Sequence, residues 1–206
     1  MTGPPDTLVE VLENAREIGL LGPGPIETHM AHSLAWAKAL GELEGSFLDL
    51  GSGGGVPGLV LCWAWPTAQA VLLDASKRRV KFLGEAAEKL GMGGRVRVIA
   101  ERAEIAGQDP NLREQFDLVV SRGFGSPGTT AECAAPFVRV GGRISVSEPP
   151  GGQAERWPVE GLEQFCLENE AQVVQGDASF VILRKYAVLD PRWPRRDGRP
   201  HKRPAW

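Results

Sequence analysis

Phe47-Leu48-Asp49-Leu50-Gly51-Ser52-Gly53-Gly54-Gly55-Val56-Pro57-Gly58 is the stretch on which the fold turns: a short apolar run carrying one acid passes directly into a loop of glycines. A short apolar run bounded by turn residues reads as a buried strand. Glycine tolerates positive φ and lets a ligand approach the backbone, and Pro57 suits a first helical position, where its missing N–H would be unpaired anyway. Strand, glycine turn and helix in that order form a cradle for a nucleotide-like ligand. The ligand itself stays open, because Gly53 to Gly58 also satisfies the dinucleotide fingerprint, with acidic Asp74 about 20 residues further on.

Asp49 weighs on that choice. A carboxylate at the end of the first strand would repel a pyrophosphate and attract a cofactor carrying an ammonium and a sulfonium. Asp74, closing Ala70-Val71-Leu72-Leu73-Asp74, can accept hydrogen bonds from both ribose hydroxyls; its other reading is a cap for the helix starting near Ala75. Glu101 and Glu104 in Glu101-Arg102-Ala103-Glu104 follow the third strand, where they either meet an adenine edge or belong to a solvated helix face.

Outward from the loop, short apolar runs alternate with amphipathic stretches, as expected for parallel strands joined by crossover helices. Strands are expected at 46–50, 69–74, 95–99, 117–121 and 142–147, with helices at 57–64, 75–90 and 127–138 between them. A helix near 159–168 leads to closing strands at 171–175 and 179–186, and the short Gly176-Asp177 connection suggests an antiparallel hairpin at the sheet edge. Ahead of the sheet, Thr7-Leu8-Val9-Glu10 reads as a capping box opening one helix, and a second runs from Thr28 to Leu40. The chain divides into a helical extension (1–45), an α/β domain (46–188) and a Pro/Arg/Trp tail (189–206) expected to lack regular structure.

At 206 residues, 42% hydrophobic and 24% charged, the chain matches one globular core. No apolar run approaches the roughly 18 residues that cross a bilayer and no leader is evident, so a cytoplasmic protein without membrane contact is expected. Cys62, Cys133 and Cys166 are isolated in apolar surroundings, which predicts small buried side chains and neither metal nor disulfide. Charge is uneven: from Arg184 onward eight Lys and Arg face two Asp, a net +6 against −9 for residues 1–183. An acidic body with a basic tail is a polarised molecule.

Taken together, the glycine loop, Leu73-Asp74-Ala75-Ser76-Lys77-Arg78-Arg79-Val80-Lys81-Phe82-Leu83, Arg102-Ala103-Glu104 and Phe116-Asp117-Leu118-Val119-Val120-Ser121-Arg122 resemble the RsmG (GidB) family, which methylates a guanine N7 in bacterial 16S rRNA. The tail Trp193-Pro194-Arg195-Arg196-Asp197-Gly198-Arg199-Pro200-His201-Lys202-Arg203-Pro204 is similar to that family's terminal element. His29 and Ser33 match its H-x-x-x-S pattern, although His32 replaces an acidic residue. At the end of the fifth strand, Glu148-Pro149 stands where the family has Lys-Gly; a glutamate there repels a phosphate.

The resemblance implies a Rossmann-like class I methyltransferase: a mostly parallel seven-stranded sheet with an antiparallel edge hairpin and an N-terminal helical extension. It implies S-adenosylmethionine as cofactor, held by Asp49, Gly51, Ser52, Gly53, Gly55, Pro57, Asp74, Ala75, Arg102, Ala103, Glu104 and Arg122. It also implies 16S rRNA or the small ribosomal subunit as partner of a chain acting as a monomer. Guanine N7 carries an in-plane lone pair and needs no deprotonation, so positioning groups are sought in place of a general base. Ser121 and Arg122, at the end of the fourth strand, are the catalytic candidates, since ligands collect at the carboxyl ends of strands in open α/β sheets. Arg122 can bond guanine O6 or a phosphate, or else pair with Asp117, Glu101 or Glu148. His29, Ser33, Arg195, Arg196 and Lys202 are the substrate-binding candidates, with Arg192, Arg199 and Arg203 as further phosphate contacts and Trp193 available for stacking. The alternative for the tail is packing over the sheet edge, or disorder.

Overall fold

The computed structural model describes residues 4–150 and 154–206. Its elements run α1 (Asp6–Glu17), α2 (Ile26–Leu40), β1 (Ser46–Leu50), α3 (Gly58–Ala64), β2 (Gln69–Asp74), α4 (Lys77–Lys89), β3 (Val96–Ala100), α5 (Ala103–Ala106), β4 (Phe116–Ser121), α6 (Pro127–Ala134), β5 (Val138–Glu148), a 3₁₀ turn (Ala154–Arg156), α7 (Val159–Glu163), β6 (Leu167–Gln175), β7 (Ala178–Lys185) and α8 (Arg199–Lys202). The sheet order is β3-β2-β1-β4-β5-β7-β6. β1 to β5 are parallel, whereas β7 runs antiparallel to both β5 and β6. Helices cover both faces, so β1 is buried on four successive residues, Phe47 to Leu50, where a half-solvated strand would alternate. The order reverses between β1 and β4, and the ends of β2, β1 and β4 lie level there, Leu50 pairing with both Leu73 and Ser121. That switch point is where a crevice opens in such sheets.

The helical extension joins the same hydrophobic cluster as β1 and α3, through Leu8, Leu12, Met30 and Trp36. Trp36 is fully buried; its ring stacks on Phe180 at 4.8 Å and its Nε1 donates to Ser145 Oγ at 2.8 Å. The capping box does not form: α1 begins a residue earlier than Thr7, behind Pro5, with no side-chain cap. α2 likewise starts at Ile26 behind Pro25, two residues ahead of expectation. Proline's fixed φ presets both helix starts.

α6 stops at Ala134 and does not reach 138, because Pro136 has no N–H to continue the ladder and disfavours helical geometry in the residue before it. β5 accordingly starts early, at Val138, and takes up an irregularity in its register with β4 near Gly141-Gly142. α7 is a single turn, and β6 starts at Leu167, four residues before the expected 171.

Lys185 is fully buried, and its ammonium donates to Glu114 Oε1 (2.6 Å), Ala135 O (2.8 Å) and Val138 O (2.9 Å). All three N–H groups are thereby satisfied, the condition under which a buried charge is tolerated.

The tail is docked along its length, in line with the packing alternative, and departs from expectation in holding a helical turn, α8. Arg113 donates to the carbonyls of Gly107, Leu189, Asp190 and Trp193. Gln108 donates to Pro191 O and Pro194 O, Thr129 Oγ1 to Pro200 O (2.8 Å), and Trp206 Nε1 to Arg156 O (2.9 Å). A segment without sequence periodicity is ordered here because other elements satisfy its backbone groups.

Candidate active site

The loop after β1 is held by its own chain. Gly51 and Ser52 donate backbone N–H groups to Leu73 O (2.9 and 3.1 Å), Gly53 N–H reaches Asp74 Oδ2 (3.0 Å), and Gly58 N–H reaches Asp49 Oδ2 (3.0 Å). A Cβ on Gly58 would stand 2.4 Å from Asp49 Oδ2, and one on Gly51, at φ +77°, would stand 2.8 Å from Phe124 Cδ2. These glycines are needed as much for packing as for a ligand.

Asp49 lies beneath the loop, fully buried, with Oδ1 unpartnered among the described residues. Burial pushes its carboxyl up to about 7, although the bond from Gly58 and the nearby Arg122 oppose the shift. It therefore does not face the crevice directly, contrary to expectation: apolar packing on both faces of β1 draws the side chain inside. Ser52 turns its hydroxyl inward to Asp49 O (3.0 Å). Gly55 and Pro57 are buried too, Gly55 against Leu59 and Pro57 as N-cap of α3 after a cis peptide bond. None of the three borders the crevice, because the loop curls back into the core to start α3; Gly53 and Arg122, also expected to hold the cofactor, do not border it either.

The crevice, about 230 Å³ and open to solvent, lies at the carboxyl ends of β1, β2 and β3. Leu50 and Gly51 form its floor, Asp74 and Ala75 one wall, and Arg102, Ala103 and Glu104 another. Asp74 accepts from Ser76 N–H (2.8 Å) and Gly53 N–H (3.0 Å) and pairs with Arg79 (3.4 Å). Ser76 takes the N-cap of α4, so Asp74 is not that cap. Glu104 accepts from Arg102 Nε (2.6 Å) and Gly198 N–H (3.1 Å). Burial acts to raise its carboxyl, but the hydrogen bonds from its own N–H, Arg102 and Gly198 hold it below the ordinary glutamate value.

The remaining side is built from Gly123, Phe124 and His201, with the rings of the last two 5.0 Å apart. Gly123 and Phe124 directly follow Arg122 and so were reachable by the rule that sites lie past strand ends. His201 lies 77 positions beyond Phe124, and no local signal places it.

Beside β4 is a second cluster. Arg122 Nη2 meets His29 Nδ1 at 3.0 Å. A guanidinium only donates, so Nδ1 accepts and Nε2 carries the proton that goes to Gly22 O (3.3 Å). Arg122 Nη1 is buried without a partner among the described residues, and burial lowers the guanidinium's pKa. His32 Nε2 contacts Ser147 Oγ at 3.0 Å, while its ring meets Trp36 and Phe180 edge-on. Burial, then Arg122 and His29, bring His32 down to about 4, so it is neutral at pH 7.

None of the acids considered for Arg122 pairs with it. Asp117 holds Arg139 (2.7 Å), Glu148 holds Arg156, and Glu101 accepts from the Arg102 backbone. Ser121 is fully buried and donates to Leu50 O (3.3 Å), tying β4 to β1; Ser33 is equally buried and donates to His29 O (3.0 Å). Both hydroxyls are committed inside the protein and away from any substrate. Arg195 is not a free phosphate ligand either, since its backbone and guanidinium make four hydrogen bonds of 2.6–3.1 Å to the fully buried Glu132 carboxylate. Trp193 packs edge-on against Phe165, and the guanidinium groups of Arg192 and Arg195 lie over its ring at 5.2 and 5.6 Å, so it is engaged within the chain. Arg196 and Lys202 stay on the surface. Among the described residues there is no group of three or more metal-ligating side chains, and no helix long and apolar enough to cross a membrane.

This sheet order, with an antiparallel seventh strand and acids closing the first two crossovers over a glycine loop, defines the class I methyltransferase fold. Solved structures agree: an O-methyltransferase from Bacillus cereus in complex with SAH superposes with a TM-score of 0.60 at 17% identity, covering 90% of this chain and 93% of its own. The [4+2]-cyclase SpnF superposes at 0.62 with 15% identity, over 88% and 94%. The model of the rRNA small subunit methyltransferase G family (GidB) matches residues 13–154. Ribosomal RNA small subunit methyltransferase G of Moorella thermoacetica is 36% identical over 164 residues, 76% of this chain and 68% of that protein, and its counterpart from Thermotoga sp. is 36% identical over 169 residues, 79% and 73%. The chain belongs to the rRNA small subunit methyltransferase G family.

Proposed function

We propose that the chain transfers the methyl group of S-adenosylmethionine to guanine N7 of 16S rRNA in the cytoplasm. The observation that carries this reading is Arg122: a guanidinium fixed by His29 at the carboxyl end of β4, one position before Gly123 of the crevice wall, with a buried Nη1 that has no partner among the described residues. A guanine offers O6 and N7 as acceptors on one edge, and a donor pinned on one side is suited to hold O6 while N7 stays free.

The residues fit the cofactor. Ala75 and Ala103 leave a narrow slot between acidic groups, and Gly51 has no space for a side chain. Asp74 would hold the ribose, Ala103 and Glu104 the adenine, and Asp49, with its uncompensated oxygen, would favour positive charge above the loop. When bound, the cofactor supplies an electrophilic methyl on a sulfonium. The chain's own part is positioning. His32 is neutral and bonded to Ser147 and both His29 nitrogens are engaged, an arrangement suited to orienting Arg122 and not to removing a proton. Alignment of this kind is worth up to about 7–11 kcal/mol in favourable cases.

The departure at Glu148 weighs less than the sequence suggested, because Arg156 neutralises it. The substrate-facing cations would be Arg122 and, from the tail, Arg192, Arg196, Arg199, Lys202 and Arg203.

The test is to incubate the protein with labelled cofactor and small ribosomal subunits from a strain lacking this modification, then map the product. A single N7-methylated guanine in 16S rRNA, lost in Arg122→Ala with cofactor binding retained, is expected. Label confined to protein or small molecules would overturn the substrate assignment.

A further inference from the structure

The crevice has a wall that does not come from the α/β domain. His201, in α8, stands against Phe124 with ring centroids 5.0 Å apart and a 54° tilt, and both rings border the same space as Ala75 and Ala103. Phe124 is itself fixed over the loop, its Cδ2 lying where a Cβ on Gly51 would be 2.8 Å away. The segment carrying His201 is anchored on both sides. Gly198 N–H, at a left-handed turn with φ +67°, donates to the buried Glu104 at 3.1 Å, and Pro200 O accepts from Thr129 at 2.8 Å. Upstream, the Arg195–Glu132 bonds clamp the tail to α6. The segment carrying His201 is thus tied to α5 and α6, the imidazole itself meets Phe124, and the residue is exposed where it borders the crevice.

Small apolar residues on one side and a pair of aromatic rings on the other form a slot for a flat heterocycle. We propose that His201 is a cofactor-contacting residue: together with Phe124 it packs against the nucleoside end of the methyl donor, so the tail completes the cofactor pocket as well as carrying the exposed cations. The inference rests on the cofactor reading given above and deepens it. It also accounts for the thorough docking of a Pro/Arg-rich segment, since a wall must be fixed to exclude water from one ring face. Arg199 and Lys202 share the same helical turn and point their charge to solvent, so the turn that walls the cofactor also faces the polyanionic substrate.

Calorimetric titration of the full chain with S-adenosylhomocysteine tests it, using wild type, His201→Ala and His201→Phe. Removal of one stacking ring should weaken binding about five- to tenfold, and phenylalanine should restore affinity to within about twofold of wild type. Equal affinity of His201→Ala and wild type overturns the proposal. A second measurement does not depend on the variants folding. In nuclear magnetic resonance spectra of the wild type, the His201 ring signals should shift on addition of S-adenosylhomocysteine together with the Ala75 and Ala103 amides. Movement of those amides with a stationary His201 ring overturns the proposal and leaves the cofactor reading intact. Movement of none of them overturns both.

Discussion

Asp49→Asn isolates the electrostatic consequence of placing an acid inside β1. The carboxyl goes from an ordinary 3.8 to about 7 in the folded chain, a rise of about three units caused chiefly by burial. Each unit corresponds to about 1.36 kcal/mol, so the difference between ionised and neutral forms is about 4 kcal/mol. Because the folded value is raised, the folded state keeps a proton that the unfolded state has lost between pH 3.8 and 7. Stability from this group is therefore fully present at low pH, falls as pH rises through that window, and levels off above 7. Asparagine can still accept the Gly58 N–H through its amide oxygen and does not titrate. Urea unfolding of both proteins between pH 4.5 and 8 should show the variant gaining on wild type by several kcal/mol, with an upper bound of about 4, most of it between pH 5 and 7. A difference that stays within about 1 kcal/mol across the range would refute the argument that Asp49 is buried with one oxygen unpaired.

Further outcomes follow from other contacts. Arg195→Ala strands the fully buried Glu132 carboxylate; breaking such a pair costs about 3–5 kcal/mol when both partners are buried, and with Arg195 partly exposed about 2–3 kcal/mol is expected by urea unfolding, with most of the loss recovered in Arg195→Met/Glu132→Leu. Gly51→Ala adds a methyl at φ +77° and 2.8 Å from Phe124, so calorimetry should show S-adenosylmethionine affinity falling at least about tenfold with the fold retained. With Arg195 occupied, five exposed tail cations remain for phosphates, and single-stranded RNA binding should follow a log-log salt slope of about −3.5; Arg196→Ala/Arg199→Ala should reduce its magnitude by about 1.4. Lys185→Met removes three internal hydrogen bonds and leaves Glu114 with the Leu189 N–H alone, so unfolding by urea should come about 3 kcal/mol earlier.

Much of the architecture was present in local patterns. The Phe47 to Gly58 stretch placed β1, its loop and α3; Asp74 at the end of an apolar run placed β2; Gly176-Asp177 placed the edge hairpin between β6 and β7. Each signal involves residues that are neighbours along the chain, where backbone preference and side-chain period act without reference to the rest of the fold. What failed at the site failed for one reason. Ser121 and Ser33 carry hydroxyls suited to a substrate, and Asp49 a charge suited to a cation, but the direction in which a side chain points is set by what packs around it. Arg195 reads as a phosphate ligand until Glu132, 63 positions away, takes it. The tail's order, the Trp36 bond to Ser145 across 109 positions, and the meeting of His201 with Phe124 are likewise products of tertiary packing. Sequence alone therefore determined the elements, the glycine loop and the acids at the strand ends. Only the folded chain decided which polar groups spend their hydrogen bonds internally and which keep one for a ligand, because that partition depends on burial and on partners distant in sequence.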